Sequence, residues 1–349
     1  YDMFAEKDDY VMANSASFVP DSVKWNLFRE ILADGWDDKS IELNAQEISW
    51  SIFREAIDKS KDPFFPNAAR DLFASVLLCM MKTGKEKVEY KKECFYNSEL
   101  KRSFDESTIL EIKALLESHP EYASVISYIG DGTNGQALGV YAELLSTFRK
   151  LFSGVFAEKG SFSMRNFVRE KGGKTLFLEY DLARGNILAP IYSLLFDLAI
   201  KEALGRNAND GNVYLICDEF RLLPYLQHID DGVNFGRGLG VKVIAGLQSI
   251  NQLTEAYSEY RGKNIIAGFS TVFAFRANDA YTRDYITNLH GKNIVMEQYK
   301  TITNSVHEEK RNANVVEDWD VNELNIGEAI IGFPFDRPFR FQFDLFLKK

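Results

Sequence analysis

Cysteine is scarce: Cys79, Cys94 and Cys217 share no short spacing, so neither a disulfide framework nor a Cys-x-x-Cys metal site is available. Such usage suits a reducing cytosol. The four histidines, His119, His228, His290 and His307, lie far apart and form no His-x-His or His-Glu-x-x-His pair, which removes support for metal-hydrolase chemistry. Long apolar runs are missing too. The longest, Leu72 to Met81, is ten residues, half of what a membrane-spanning helix needs, so the segment reads as soluble. Excess positive charge is also absent, since 41 Lys and Arg stand against 51 Asp and Glu for a net charge of −10. That excludes a general basic coat for nucleic acid or anionic lipid. Any site for a polyanion has to be local.

What is present is the balance of a globular protein, 46% apolar and 26% charged residues, which excludes a disordered or collagen-like chain. At about 150 residues per domain, 349 residues predict two packed units. The sequence opens at Tyr1 with no initiator methionine and no signal-peptide pattern, as a segment of something longer would.

The first 40 residues carry turn signals at Asn14-Ser15 and Pro20-Asp21, a short strand-like YVMA, and the aromatic stretch KWNLFREI. They read as the edge of an α/β unit. From Ile41 to Ala157 apolar residues recur at spacings of three and four (Ile48, Ile52, Phe53, Ala56; Leu72, Val76, Leu77, Met80), the signature of a helical block. Within it Asp62-Pro63 breaks one helix, Asn67 is placed to cap the next, and Ser103 to Ser107 offers another start. From Lys82 to Arg102 basic and acidic residues alternate with Tyr90, Phe95 and Tyr96. Such a run is a solvated helix face or, with rings to stack on bases, a grip on a single strand.

After Gly160 buried strands alternate with helices: TLFLEYD (175–181), a helix over 189–203, VYLICDE (213–219), a helix through 228–239, VKVIAGL (241–247), TVFAFRA (271–277), a helix at Ala280 to Leu289, and a closing pair at EAIIGF (328–333) and FRFQFDLF (339–346). Continuous apolar strands separated by helices predict an α/β fold with a mainly parallel sheet covered on both faces.

Chemistry concentrates at two places. YLICDEF (214–220) is an apolar strand ending in two carboxylates, and at the C-terminal edge of a parallel strand Asp218 projects into the crevice where such sheets bind ligands. That is where an acid holds Mg²⁺ and where Glu219 can orient an attacking water. The plainer alternative is a strand that ends in solvated acids. Downstream, NFGRGLGVKVIAGLQSINQL (234–253) sets Arg237 in a glycine-flanked turn before the next strand and Gln248 just past that strand's end. An arginine so placed can reach a neighbouring subunit's phosphates or pair with a nearby carboxylate. Gln248 can sense a γ-phosphate or cap the following helix.

Taken in order, KWNLFREI, DPFFPNAARDLFASVLL (62–78), ICDEF, GRGLGVKVIAGLQSINQL and FAFRANDAYTRDYI (273–286) resemble the TraG/TraD/VirD4 family of type IV secretion coupling proteins, hexameric P-loop ATPases akin to the FtsK and HerA pumps. Phe220 after the acidic pair and LeuGlnSer at the strand end favour this family over VirB4-type secretion ATPases. The resemblance implies a RecA-like nucleotide-binding domain from residues 1–40 and 160–349, interrupted by an all-helical domain at 41–159. It implies ATP and Mg²⁺ as cofactors, with Asp218 as the Walker B metal ligand and Glu219 as the catalytic carboxylate. Arg237 becomes the finger supplied in trans and Gln248 the γ-phosphate sensor. It further implies a homo-hexamer on the cytoplasmic side of the inner membrane, with single-stranded DNA, relaxase or relaxosome, effector proteins and other type IV secretion subunits as partners.

One departure stands out. A P-loop needs GxxxxGK[ST] between a strand and a helix, so that backbone N–H groups cradle phosphate, and no segment meets it. GlyGlyLysThr at 172–175 mimics the end of the motif, but Val occupies position 168 and the motif leads into a strand, so it reads as a turn. The sequence is expected to start after the family's P-loop, and so to be inactive alone. A parallel sheet lacking that strand is expected to leave unpaired backbone and an uncovered apolar slot. A non-catalytic docking module, with its helical part recognising relaxosome or effector proteins, is the alternative function.

Overall fold

In the computed structural model, residues 4–14, 22–86, 95–170, 172–180, 185–207, 210–223, 225–300 and 306–344 are described. Strand β1 (Tyr10–Met12) leads to a short helix α1 (Leu27–Ile31), whose first turn is capped by the Asn26 side chain accepting from Phe28 N and Arg29 N. Six helices follow: α2 (Asp38–Lys59), α3 (Phe64–Glu86), α4 (Asn97–Glu106), α5 (Ile109–Glu117), α6 (Ala123–Ile129) and α7 (Gly135–Leu151). After α8 (Met164–Arg169) comes β2 (Leu176–Leu178), which pairs in parallel with β1 in the register Tyr10↔Leu176, Val11↔Phe177, Met12↔Leu178. Strands before and after the helical run thus lie side by side. GlyGlyLysThr leads into strand β2 and not into a helix, as a P-loop would, with Gly173 at a positive φ of 64°.

Next come α9 (Gly185–Leu204), β3 (Val213–Cys217), α10 (Ile229–Asn234), β4 (Val241–Ala245), α11 (Asn251–Tyr257), α12 (Glu259–Gly268), β5 (Val272–Ala274), α13 (Ala280–Leu289), an antiparallel hairpin of β6 (Lys292–Lys300) and β7 (Val306–Asn314), α14 (Asp318–Asn322), β8 (Glu328–Gly332) and β9 (Phe339–Gln342). Strand β3 lies beside β4, and β5, β8 and β9 form a separate antiparallel sheet. The chain divides into two compact units, Tyr1–Leu215 with Leu222–Lys242, and Ile216–Arg221 with Val243–Lys349.

The first unit is built on aromatic packing. Phe73 meets Phe53 at 5.8 Å and Phe148 at 6.4 Å, and Phe148 meets Phe104 and Phe152 at 4.6 Å each. Two buried asparagines stitch this core to α1: Asn26 Nδ2 donates to the carbonyls of Phe95 and Gly160, and Asn97 Nδ2 to those of Trp25 and Phe156. Helix α3 is long and apolar enough to cross a membrane by length and composition, yet two thirds of that window is buried inside the fold. It is a core helix here. The second unit packs Ala274, Ala277, Ile286, Val316, Val321, Leu324 and Ile330 between its antiparallel sheet and the helices beside it.

Some local expectations shift. Helix α3 starts at Phe64 with its amide capped by Asp62 Oδ1 at 3.1 Å. Asn67 lies inside the first turn and donates back to the Pro63 carbonyl instead of capping. Residues 103–107 end α4, and the next start is Thr108, whose hydroxyl and Glu111 form a reciprocal capping box. Phe95 is buried against Phe28 and Trp36, and Tyr96 lies under Lys159 at 4.3 Å. Phe95 is therefore not available to stack on a base. Tyr90, Lys91, Lys92 and Cys94 of the same stretch lie outside the described residues, as do the turn signals at 15 and 20–21.

Candidate functional site at the end of strand β3

Cys217 ends β3 and the chain turns sharply at Asp218 and Glu219, with Phe220 buried behind it and stacked on Tyr257 at 5.9 Å. The turn is fastened to the end of β4, because Gly246 N donates to the Cys217 carbonyl at 2.8 Å and Phe220 N donates to the Gly246 carbonyl at 2.9 Å. Only glycine fits at 246, since a Cβ there would collide with the Asp218 carbonyl oxygen.

That fastening brings two of the four predicted residues together. Gln248 Nε2 donates to Glu219 Oε2 at 2.8 Å. The other oxygen of Glu219 has no hydrogen bond and faces Arg221 Nε at 3.7 Å. The Asp218 carboxylate is exposed, with no hydrogen bond or ion pair among the described residues. Burial, with the charges of Glu219 and Asp218 behind it, pushes the Cys217 thiol up to about 12, so it stays protonated and is no nucleophile at neutral pH.

A supporting layer escaped the sequence. Thr282 Oγ1, in the first turn of α13, accepts from Ile250 N at 3.0 Å and lies 3.4 Å from Ser249 Oγ, which pins the loop that carries Gln248. Asp279 caps that helix by accepting from Thr282 N at 2.9 Å. Burial pushes the Asp279 carboxyl up, but hydrogen bonds from Thr282 and Ser249 outweigh it and hold the group below the usual range. The Asp-x-x-Thr spacing before a helical run was the signal available.

Arg237 belongs to the first unit. It sits in a 3₁₀ turn (Gly236–Leu239) that runs from α10 into β4, its guanidinium exposed and without a hydrogen bond or ion pair among the described residues. The turn closes through Gly240 at a positive φ of 84°, where a side chain would strike the Gly211 carbonyl.

For Mg²⁺ the donor set fits. That ion keeps several waters and takes one or two carboxylates together with phosphate oxygens, and Asp218 offers one unpaired carboxylate at a strand end. Among the described residues no cluster of three or more His, Cys, Asp or Glu side chains is present, so a cage built wholly of protein ligands is not what these residues provide.

A family model described as the type IV secretion-system coupling protein DNA-binding domain matches residues 18–334. The chain belongs to this coupling-protein family. Coupling protein TraD of Escherichia coli (strain K12) is 21% identical over 262 residues, which covers 67% of this chain and 34% of TraD. The chain therefore spans about a third of the length of that relative. Among solved structures, the unbound monoclinic form of the bacterial conjugative coupling protein TrwBdeltaN70 superposes with a TM-score of 0.75 at 19% identity, covering 96% of this chain and 73% of that one. TrwB in complex with a non-hydrolysable ATP analogue gives 0.68 at 19% identity, and TrwB with ADP and Mg²⁺ gives 0.65 at 20%, each again spanning 73% of the TrwB chain. The fold of this chain is thus TrwB-like, an α/β architecture with parallel strands and a helical part.

Proposed function

We propose that this chain supplies the hydrolytic side of an ATP-driven coupling protein, one that recruits single-stranded DNA with its relaxase, or effector proteins, and pumps them into a type IV secretion channel. The contact between Glu219 and Gln248 carries the reading. It joins a carboxylate at the end of one strand to an amide at the end of the next, at the strand edge where open α/β sheets act on ligands. In this role Asp218 would hold Mg²⁺, an ion that would supply positive charge against the phosphates. Glu219 orients the attacking water and takes its proton, and Gln248 holds that carboxylate until a γ-phosphate competes for its amide. Arg237 reaches the phosphates of a neighbouring subunit in a homo-hexamer at the cytoplasmic face of the inner membrane. The division into a nucleotide-binding domain at 1–40 and 160–349 and a helical domain at 41–159 belongs to the same proposal, the helical part selecting substrate alongside other secretion subunits.

The 349 residues hold no GxxxxGK[ST], and in this reading a segment outside them supplies the phosphate cradle. The sheet offers a place for it. Strands of a sheet covered on both faces bury their side chains, yet Ile216 of β3 and Ile244 of β4 are 64% and 54% exposed, and Phe273 of the antiparallel strand β5 is 47% exposed. Among the described residues β4 pairs only with β3, and β5 only with β8. A strand and helix carrying the P-loop would pair with one of these edges and cover these side chains. The experiment is to join such a segment, N-terminal to this chain, and follow ATP turnover. Hydrolysis lost in Glu219→Gln with ATP binding retained supports the reading; ATP bound and no hydrolysis in the joined wild type contradicts it.

The docking alternative draws on the same missing motif. It is favoured if the joined protein binds effector or relaxase as tightly without nucleotide as with it and never hydrolyses ATP.

A further inference from the structure

We infer that Asp197 is a positioning residue that fixes the Arg237 turn against the helical block through a buried polar node. Asp197 lies on α9 and is 3% exposed. Its Oδ1 accepts the backbone N–H of His228 at 2.8 Å, the residue that precedes α10. Its Oδ2 accepts from Ser51 Oγ of α2 at 3.0 Å and lies 3.1 Å from His228 Nδ1. One turn back on α2, Glu47 faces His228 Nε2 at 3.7 Å and pairs with Lys201 of α9. Three elements therefore meet on one buried carboxylate.

The node acts on Arg237 because little slack separates them. Asp197 and Ile200 are three residues apart and share a face of α9, and Gly232 of α10 packs on Ile200 so closely that a Cβ would stand 2.9 Å from its Cγ2. Four residues on, Gly236 opens the 3₁₀ turn with no room for a side chain, since a Cβ there would lie 2.7 Å from Val241 Cβ. Helix α10 is six residues long and too short to hold itself in water, so its direction is set by these contacts at its two ends. An exposed guanidinium at the end of such an element is aimed by what grips the element from behind. Ser51 makes α2 part of that grip, so that a displacement of the helical block reaches the arginine turn.

The functional half of this inference rests on the role proposed for Arg237, and two readouts separate them. Hydrogen exchange on the 349-residue chain reads the anchor alone. Asp197→Ala should raise exchange of the amides from 229 to 239 by about tenfold or more, as a local opening, while Asp197→Asn, which keeps an acceptor for His228 N–H, should restore most of the protection. Ser51→Ala, a variant with little risk to folding, should give a smaller rise in the same segment. Turnover by the protein joined to a P-loop segment reads the consequence. Asp197→Ala should lower kcat about tenfold or more with the KM for ATP unchanged, because a small misplacement of a positioned group costs rate and not binding. Protection unchanged at 229–239 in both the Asp197→Ala and Ser51→Ala variants overturns the inference. So does a loosened segment with wild-type kcat where Arg237→Ala abolishes turnover. If Arg237→Ala is itself silent, the role given to Arg237 fails, and the exchange data alone then decide whether Asp197 anchors the turn.

Discussion

Gln248 reaches back from the end of β4 to donate its side-chain amide to Glu219 Oε2 at 2.8 Å, joining residues 29 apart in sequence. The contact makes two predicted functional groups one unit, and units of this kind respond to substitution non-additively. In the protein joined to a P-loop segment, Glu219→Gln is expected to lower turnover by about 10²- to 10⁴-fold, as for loss of a general base. Gln248→Ala is expected to lower it by roughly 10²-fold or more, as for loss of one positioned donor. The double variant should be little worse than Glu219→Gln alone. Steady-state phosphate release checks this, and losses that multiply would show that the two side chains act independently.

Gly246→Ala should cost stability at the turn that fastens the end of β3 to the end of β4. The added methyl strikes a backbone carbonyl, that of Asp218, which cannot swing away as a side chain would. Overpacking of this kind costs about 1–3 kcal/mol. Urea unfolding should show the midpoint fall with an unchanged slope; a midpoint equal to wild type would mean that the turn has slack.

Much of this architecture was legible because local and tertiary preferences agree. Helix α13 runs from Ala280 to Leu289 as its spacing predicts, with Asp279 as cap. VYLIC is a strand because its residues are β-branched, aromatic or apolar and end in a turn. The hairpin of β6 and β7 escaped notice. Ile294, Val295 and Met296 of β6 run consecutively instead of alternating and β7 is mostly polar, and the strands are held by cross-strand pairs such as Arg311 with Glu297 at 2.7 Å and Gln298 with Glu308 at 2.6 Å. Phe95 misled for the opposite reason, since an aromatic residue among charges reads as a surface ring but here plugs the core beneath Phe28. At the site, residue types and order pointed to Asp218, Glu219 and Gln248, while the Glu219–Gln248 contact and the Thr282 support depend on strands and loops meeting in space.

Arg237→Ala is expected to leave folding and nucleotide binding intact and to lower turnover by about 10³- to 10⁵-fold, the effect of a finger supplied in trans. Mixing it with Asp218→Ala subunits should restore part of the activity, since some interfaces then combine an intact Asp218 with an intact Arg237. Mixed hexamers that stay inactive would contradict action across an interface.

The helical block should favour protein over nucleic acid. Net charge −10 opposes sequence-independent DNA binding, which depends on neutralising phosphates and falls steeply with salt, and the burial of Phe95 removes one of the rings available for stacking. The 349-residue chain should therefore bind single-stranded oligonucleotide more weakly than it binds a relaxase or effector at physiological salt. Micromolar or tighter oligonucleotide binding that is lost on changing Lys91 and Lys92 to Glu would overturn this.

The most direct test is phosphate release by the 349-residue chain alone and joined to a P-loop segment, each with and without Asp218→Ala. A phosphate site needs a nest of backbone N–H groups, and none of the sequence supplies the P-loop form of it. The predicted result is no turnover alone, turnover when joined, and loss of that turnover in Asp218→Ala. Turnover by the chain alone that disappears in Asp218→Ala, or a joined protein that binds ATP and hydrolyses none, would contradict the account.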